Sequence, residues 1–381
     1  MTLPVFGAAA IERAAGPQLV LETVRDALIA HAEGRTHVPP PLHLDFREAD
    51  GDCHVKAGWI SGAADFTVKI ATGFYGNPAL GLPANHGLVC VVSARTGQPR
   101  ALLDDGGLLT AWRTAAAGAL LTHAMARPAA GTLAVFGTGE QARLQALWLA
   151  ELRPVGAVLV HGRSPDRARA LCDVLGAHGL AARPAAAEEA AEADMIITAT
   201  PARSPVLDAA RVRAGAHVTG IGTDMPHKNE LPPALFHRAR IVATDDHDQC
   251  LDHGDFGHAV RAGAAAEDGD IAAGLLLKAP VDRPDTAITV ADLTGVGALD
   301  AALASAVLGR LTGERPGGGA LARPRLRALR RGLRDGGAEW LCPRSRTASG
   351  RALSPVRPRP AAPASWSSPG PSAVDSRGVR R

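Results

Sequence analysis

A chain of 381 residues, 46% apolar and 21% charged, carries enough apolar surface for two cores and needs neither disulfides nor a metal to fold. Its five cysteines (Cys53, Cys90, Cys172, Cys250 and Cys342) stand singly with no C-x-x-C spacing, which argues against a disulfide framework. The net charge of +3 hides an asymmetry: residues 313–381 hold fifteen arginines against four acids, so the preceding body is acidic.

No apolar run reaches the roughly 18 residues of a membrane span, and the best candidate, TAAAGALLTHAMA, contains hydroxyls and a histidine. The opening MTLPVFGAAAIERAAG has no basic segment ahead of its apolar patch, so no export signal is read and a cytoplasmic location is expected. Residues 313–381 also carry nine prolines and little periodic apolar pattern, which predicts a disordered basic tail. No function is assigned to that tail, and neither nucleic acid nor membrane is expected as a partner.

Taken in order, PQLVLETVRDALIAHA (17–32) has apolar residues at helical spacing. Three β-like runs follow, HVKAGWI (54–60), FTVKIAT (66–72) and GLVCVVSA (87–94), separated by Gly, Pro and Asn, which predicts an antiparallel α+β region. An alanine-rich helix, LLTAWRTAAAGALLTHAMA (108–126), then delivers the chain to TLAVFGTGEQA (132–142).

That segment reads as strand, tight glycine turn and helix. Gly137 permits the turn, Gly139 removes a side chain that would block a pyrophosphate, and Ala142 lets helix and strand come close. The first helical N–H groups, from Thr138, Glu140 and Gln141 onward, then face the anion. Further strands at VGAVLVHG (155–162), DMIITAT (194–200), HVTGIG (217–222) and RIVATD (240–245) alternate with helical pieces. Such alternation predicts an α/β, doubly wound parallel sheet with its ligand at the carboxyl ends of the strands. The closing TAITVADLTGVGALDAALASAVLGRL (286–311) gives a strand, a DLTG turn and an apolar helix.

Six strings coincide with one family. VKIATGFYGNPALGLP, LLTAWRTAAAG, GTGEQARLQ, ITATP, IGTDMPHKNEL and DLTGVG all resemble the ornithine cyclodeaminase and mu-crystallin family, in order, over about residues 20–311. Within it the chain looks most like members named for ectoine utilisation. The resemblance implies a homodimeric enzyme with a Rossmann domain (121–294) and a split substrate-binding and dimerisation domain (1–120, completed by 295–312). It also implies hydride exchange between a nicotinamide and the α-carbon of a small amino acid or its cyclic imine. Three activities stay open: cyclodeamination, reduction of a ketimine, and amino-acid dehydrogenation. A non-catalytic dinucleotide-binding protein is the competing class.

Oxidising an amine to an imine needs a grip on the carboxylate, a group for the amine proton and a nicotinamide face. Arg113 lies mid-helix among apolar residues, where a guanidinium needs an anion: a substrate carboxylate, or a buried structural ion pair. Lys69 sits in an apolar β-run in a chain of four lysines and thirty-seven arginines, so it is expected in a cavity rather than on a wet edge. Asp224 follows GIG at a strand end, either as proton carrier or as a helix N-cap. The family likeness favours substrate contact for Arg113, substrate contact and catalysis for Lys69, and catalysis for Asp224. Lys228 is expected to touch the cofactor.

At the second strand end, Val160-His161-Gly162-Arg163-Ser164 has no carboxylate for a ribose and offers Arg163 and Ser164 to a 2′-phosphate. NADP(H) is therefore expected, with NAD(H) possible. Thr200, Pro201, Ile221, Gly222, Leu293 and Thr294 are expected to line the cofactor. One departure stands out: where the family has an arginine that helps bind the substrate carboxylate, PPPLHLDF has His43. His43 is expected at the substrate as a weaker anion ligand, and either Arg35 or Arg47 substitutes, or the substrate differs, or the activity is weak. No metal is expected; the polar run His247, Asp248, Asp252, His253, Asp255 and His258 reads as a solvated loop.

Overall fold

The computed structural model describes residues 2–279 and 282–314; the basic tail read from the sequence lies outside them, save for its first residues. Among the described residues no helix is long and apolar enough to cross a membrane.

The first sheet contains β1 (Val5–Gly7), β2 (Thr36–His37), β3 (Leu42–Phe46), β4 (Gly51–Ile60), β5 (Asp65–Phe74), β6 (Asn85–Ser93) and β7 (Pro99–Asp104). Its order is β1-β7-β6-β5-β4-β2, with β3 also pairing β4, and all pairs are antiparallel except β1 with β7. Because side chains alternate, register decides which residues share a face. His43 stands opposite His54, and Lys56 opposite Lys69, so these four look to one side. Leu42, Leu44, Phe46 and Ile70 look to the other, where they are exposed.

The second sheet contains β8 (Thr132–Phe136), β9 (Ala157–His161), β10 (Ala182–Pro184), β11 (Met195–Thr198), β12 (His217–Gly220), β13 (Ala239–Thr244), β14 (Ile271–Ala272) and β15 (Ile288–Asp292). All its pairs are parallel, in the order β10-β9-β8-β11-β12-β15-β13-β14. This is the doubly wound α/β sheet that the alternation predicts. The direction of winding reverses between β8 and β11, and the crevice at their carboxyl ends is where such sheets bind ligands.

β11, β12 and β15 are buried along their whole length, which suits runs such as MIIT and ITVAD. Three of the polar residues inside them satisfy one another: His217 bonds Thr289 Oγ1 and Thr219 Oγ1, each at 2.8 Å, and Thr219 also bonds Thr122 at 2.8 Å. Burial pushes the His217 pKa down to about 3, so the ring is neutral and bridges as donor and acceptor.

The last helix, Gly297–Thr312, crosses back to the first sheet and lies against β4, β5 and the Pro17–Ala32 helix. Its approach depends on two glycines. A Cβ on Gly58 would stand 2.4 Å from the Gly297 carbonyl oxygen, and one on Gly297 2.4 Å from that of Ala57. With neither side chain present, strand and helix touch backbone to backbone, and Asp300 in the first turn of the helix reaches the Lys56–Lys69 face.

Strand ends are shorter than sequence reading suggests. DMIITAT ends as a strand at Thr198 and HVTGIG at Gly220. The residues beyond are drawn out of the sheet by the buried carboxylate of Glu230. It accepts from the Thr200 N–H at 2.6 Å, the Thr200 hydroxyl at 2.7 Å and the Gly222 N–H at 2.7 Å.

Candidate functional site

Two cavities flank the glycine turn. The smaller, about 380 Å³, opens between the sheets and is lined by Gly139, Glu140, Gln141, Ile221, Gly222, Leu293 and Thr294 from the second sheet's side. Lys56, Lys69 and Arg113 face them across it, with Asp224 and Lys228 at one end. The larger, about 760 Å³, is lined by Gly137, Thr138, Arg163 and Ser164, with Arg167 and Arg203 alongside. Thr200 and Pro201 line both, so the two spaces meet beside the turn.

The turn fits a dinucleotide. Gly137 has φ +128°, and a Cβ there would lie 2.4 Å from the Ala199 carbonyl oxygen, so no other residue suits this crossing of β8 and β11. A Cβ on Gly139 would meet no protein atom within 4 Å, so the approach to the helix start is open. The Glu140–Leu152 helix has no side chain capping its first N–H groups, which leaves them for an anion. Ser164 caps the next helix, its hydroxyl accepting from the Arg167 N–H at 3.4 Å, which leaves that hydroxyl's proton for the larger cavity.

In the smaller cavity the charged groups form a compact set. Lys69 is 2% exposed and its Nζ stands 2.8 Å from Asp300 Oδ2. Arg113, also buried, donates from Nε to Asp300 Oδ1 at 3.2 Å. One carboxylate therefore anchors two cations, and the guanidinium is both a structural ion pair and a cavity wall. Burial lowers the Lys69 pKa to about 8, with Asp300 opposing that fall. Burial opposes ionisation of Asp300 too, but Lys69 and then Arg113 outweigh it and hold its pKa below the usual value.

Asp224 is no helix cap: the residues after it form a turn, and the following helix begins at Pro233 with Pro232 as its cap. Instead Lys228 donates to it at 2.6 Å, while 41% of the Asp224 side chain opens to the cavity deep in the cleft. Burial raises its pKa, yet Lys228 outweighs that and keeps the carboxylate ionised, ready to accept a proton. Lys228, read from sequence as a cofactor contact, is thus first the partner of Asp224.

His43 does not line the cavity. It is exposed on β3, its ring 4.5 Å from that of His54, which does reach the cavity. Burial, then His54, lowers the His43 pKa, so it makes a poor anion ligand. Neither arginine considered as a substitute arrives: Arg35 pairs with Glu33, and Arg47 is exposed beside Asp45 at 2.8 Å. The polar run from His247 is no solvated loop: it forms two short helices, His247–His253 and Asp255–Arg261, in which His253 and Asp255 are buried. His247 turns to Asp270, His258 bonds the Lys228 carbonyl, and Asp255 accepts from the Thr223 hydroxyl and the Glu230 N–H.

Sequence reading missed Lys56, Asp300 and Asp245. Lys56 is buried, and its Nζ donates to the carbonyls of Gly295 at 2.8 Å and Thr294 at 3.5 Å. Asp245 holds that same turn, accepting from the N–H groups of Thr294 and Gly295 at 3.0 and 2.7 Å. The signals were present: Lys56 sits in an apolar run like that of Lys69, and Asp300 is the lone acid of an apolar helix.

The sequence profile of the ornithine cyclodeaminase/mu-crystallin family matches residues 5–315. The chain belongs to that family. Among its relatives, an uncharacterized cyclodeaminase of Sinorhizobium fredii is 38% identical over 277 residues, spanning 70% of this chain and 83% of that one. Iminosuccinate reductase of Paracoccus denitrificans is 31% identical over 296 residues, 77% of this chain and 91% of its own. Of solved structures, an archaeal alanine dehydrogenase dimer with bound NAD superposes with a TM-score of 0.77 at 27% identity. It covers 82% of this chain and 97% of that one. All the expected site residues except His43 line one or other of the two cavities.

Proposed function

We propose that this protein is an NAD(P)-dependent oxidoreductase of the ornithine cyclodeaminase/mu-crystallin family that interconverts a small 2-amino acid and its imine. The observation that carries this reading is the meeting of Lys69, Arg113 and Asp224 in one cavity joined to the space beside the glycine turn. When bound, the nicotinamide exchanges a hydride with the substrate α-carbon. Lys69 and the free N–H groups of Arg113 hold the substrate carboxylate. Asp224 takes the proton from the amine nitrogen on oxidation and returns it on reduction. Ile221, Gly222, Leu293 and Thr294 wall the ring and keep water away from the α-carbon.

The preferred dinucleotide is NADP(H). Arg163, Arg167, Arg203 and Ser164 line the larger cavity without a carboxylate among its lining residues, which suits a 2′-phosphate. A homodimer forms through the outer face of the first sheet, where Leu42, Leu44 and Phe46 of β3 and Ile70 of β5, on either side of β4, are 39–53% exposed. The alanine dehydrogenase of like fold is a dimer with bound NAD, in keeping with a nicotinamide dinucleotide and a dimer.

A cyclodeaminase reading competes, supported by the Sinorhizobium relative and by Asp52, which lines the mouth of the cavity beside Tyr75 and could hold a second amine. Incubation with ornithine, and separately with pyrroline-2-carboxylate and NADPH, separates the cases. Proline and ammonia from the first mark a cyclodeaminase, and oxidation of NADPH by the second marks a reductase. Neither result, with no oxidation of NADPH by the imines of pyruvate or oxaloacetate and with NADPH still bound, leaves a binding protein and defeats the proposal.

A further inference from the structure

Asp224 and its partner Lys228 share one loop, residues 223–230, which follows the carboxyl end of β12 and contains neither helix nor strand. Two buried carboxylates close that loop. Glu230, at its far end, reaches back to accept from the Gly222 N–H at 2.7 Å, just ahead of its start. Asp255, which opens the Asp255–Arg261 helix, accepts from the Thr223 hydroxyl with Oδ2 at 3.0 Å and from the Glu230 N–H with Oδ1 at 2.8 Å. One side chain thus spans both ends of the loop.

The same helix also meets the middle of the loop, where His258 Nε2 bonds the Lys228 carbonyl at 2.8 Å. The helix is in turn fixed to β15. The Phe256 N–H donates to Asp292 at 2.8 Å, and a Cβ on Gly254 would lie 2.4 Å from Asp292 Oδ2, so the two approach as closely as a glycine allows.

This arrangement works against stability. Glu230 and Asp255 are fully buried, and among the described residues their partners are hydroxyls and backbone N–H groups, with no cation. Burial, then the charge of Glu230, pushes the Asp255 pKa up to about 7. The donors that the two carboxylates collect, from Thr198, Thr200, Gly222, Thr223 and Glu230, belong to this loop or to the strand ends beside it. A local cost of this kind, retained beside a proton carrier, points to placement rather than to stability.

We infer that Asp255 is a positioning residue: by bridging Thr223 and Glu230 it fixes the loop that presents Asp224 to the cavity, and it acts on proton transfer through that loop. The inference rests on the reading of Asp224 as the proton carrier.

The test compares Asp255→Ala, Asp255→Asn and Thr223→Val in the full chain. Amide hydrogen exchange is read by mass spectrometry, NADPH affinity by fluorescence, and kcat with whichever of pyrroline-2-carboxylate and the imines of pyruvate and oxaloacetate the unaltered protein reduces. Thr223→Val removes one arm of the bridge. Asn keeps both without the charge, its oxygen accepting from the Glu230 N–H and its amide donating to the Thr223 hydroxyl. Exchange within residues 224–229 is expected to quicken at least about threefold in Thr223→Val and about tenfold in Asp255→Ala. In both, kcat is expected to fall about tenfold or more, whereas Asp255→Asn stays within about threefold of the unaltered protein. NADPH affinity in Thr223→Val is expected to change by no more than about threefold, a split that general loss of structure would not give.

Unchanged exchange in the loop, unchanged kcat with a loosened loop, or an Asn variant as impaired as Ala overturns the inference. Should Asp255→Ala fail to fold, Thr223→Val decides by the same criteria. If the unaltered protein reduces none of these imines, the oxidoreductase reading falls, and loop exchange alone decides whether Asp255 holds the loop. Normal turnover with unchanged exchange in the variants overturns the inference and leaves that reading standing.

Discussion

Lys69 Nζ stands 2.8 Å from Asp300 Oδ2, joining the central antiparallel strand β5 to the last helix of the fold. The same carboxylate carries Arg113, so Asp300 fixes two cavity cations at once. Asp300→Ala leaves both buried and unpaired, and the expected loss is about 3–5 kcal/mol of unfolding free energy. Asp300→Asn, which keeps an acceptor for Arg113, loses less. Urea denaturation of the three proteins checks the order.

The position of Lys69 also sets a pH dependence. Its pKa is lowered from 10.5 to about 8 because burial disfavours the ammonium. Only the charged form binds a carboxylate, so affinity for a carboxylate ligand is level below pH 8 and falls about tenfold per unit above it. The sign for folding of the free protein is opposite. Between pH 8 and 10.5 the unfolded chain holds the Lys69 proton and the folded one does not, so this group's contribution to stability rises with pH. Titrations with the same ligand across that range, on the unaltered protein and Lys69→Arg, should show the break only in the former.

Asp224 opens to the cavity while Lys228 keeps it ionised. As the proton carrier, its replacement by Asn should lower kcat about 10²–10⁴-fold. NADPH affinity, read by fluorescence, should change far less than kcat. A variant that turns over normally would assign the proton to another group.

Much of this was legible in the sequence, for a physical reason. The glycine turn depends on local steric facts, such as the positive φ of Gly137, that leave marks at fixed spacing. The buried strands of the second sheet are continuous apolar runs. What was hidden depends on register and long-range return. His43 looked like a carboxylate ligand by position, but pairing of β3 with β4 sets it behind His54. Lys56 acquires its place only through its pairing with Lys69, and Asp300 only because Gly58 and Gly297 let the last helix touch β4. The turn after Asp224 was disguised as a helix start because PHKNEL reads as a capped first turn.

Cofactor choice can be tested at the larger cavity. If Arg163 meets a 2′-phosphate, Arg163→Ala should weaken NADPH binding by about tenfold or more, the worth of one charge-assisted hydrogen bond. NADH binding should change by no more than about threefold. Equal losses for both dinucleotides would place Arg163 at a part of the cofactor they share.

The most direct measurement is isotope transfer. The full chain is supplied with NADPH deuterated at the ring carbon that carries the hydride, together with imines formed from ammonia and oxaloacetate or pyruvate, and the amino acid product is read by mass spectrometry. Deuterium on the α-carbon, lost in Asp224→Asn and reduced in Lys69→Met, is the predicted result. Binding of NADPH with no label reaching the α-carbon of any imino acid would contradict the account.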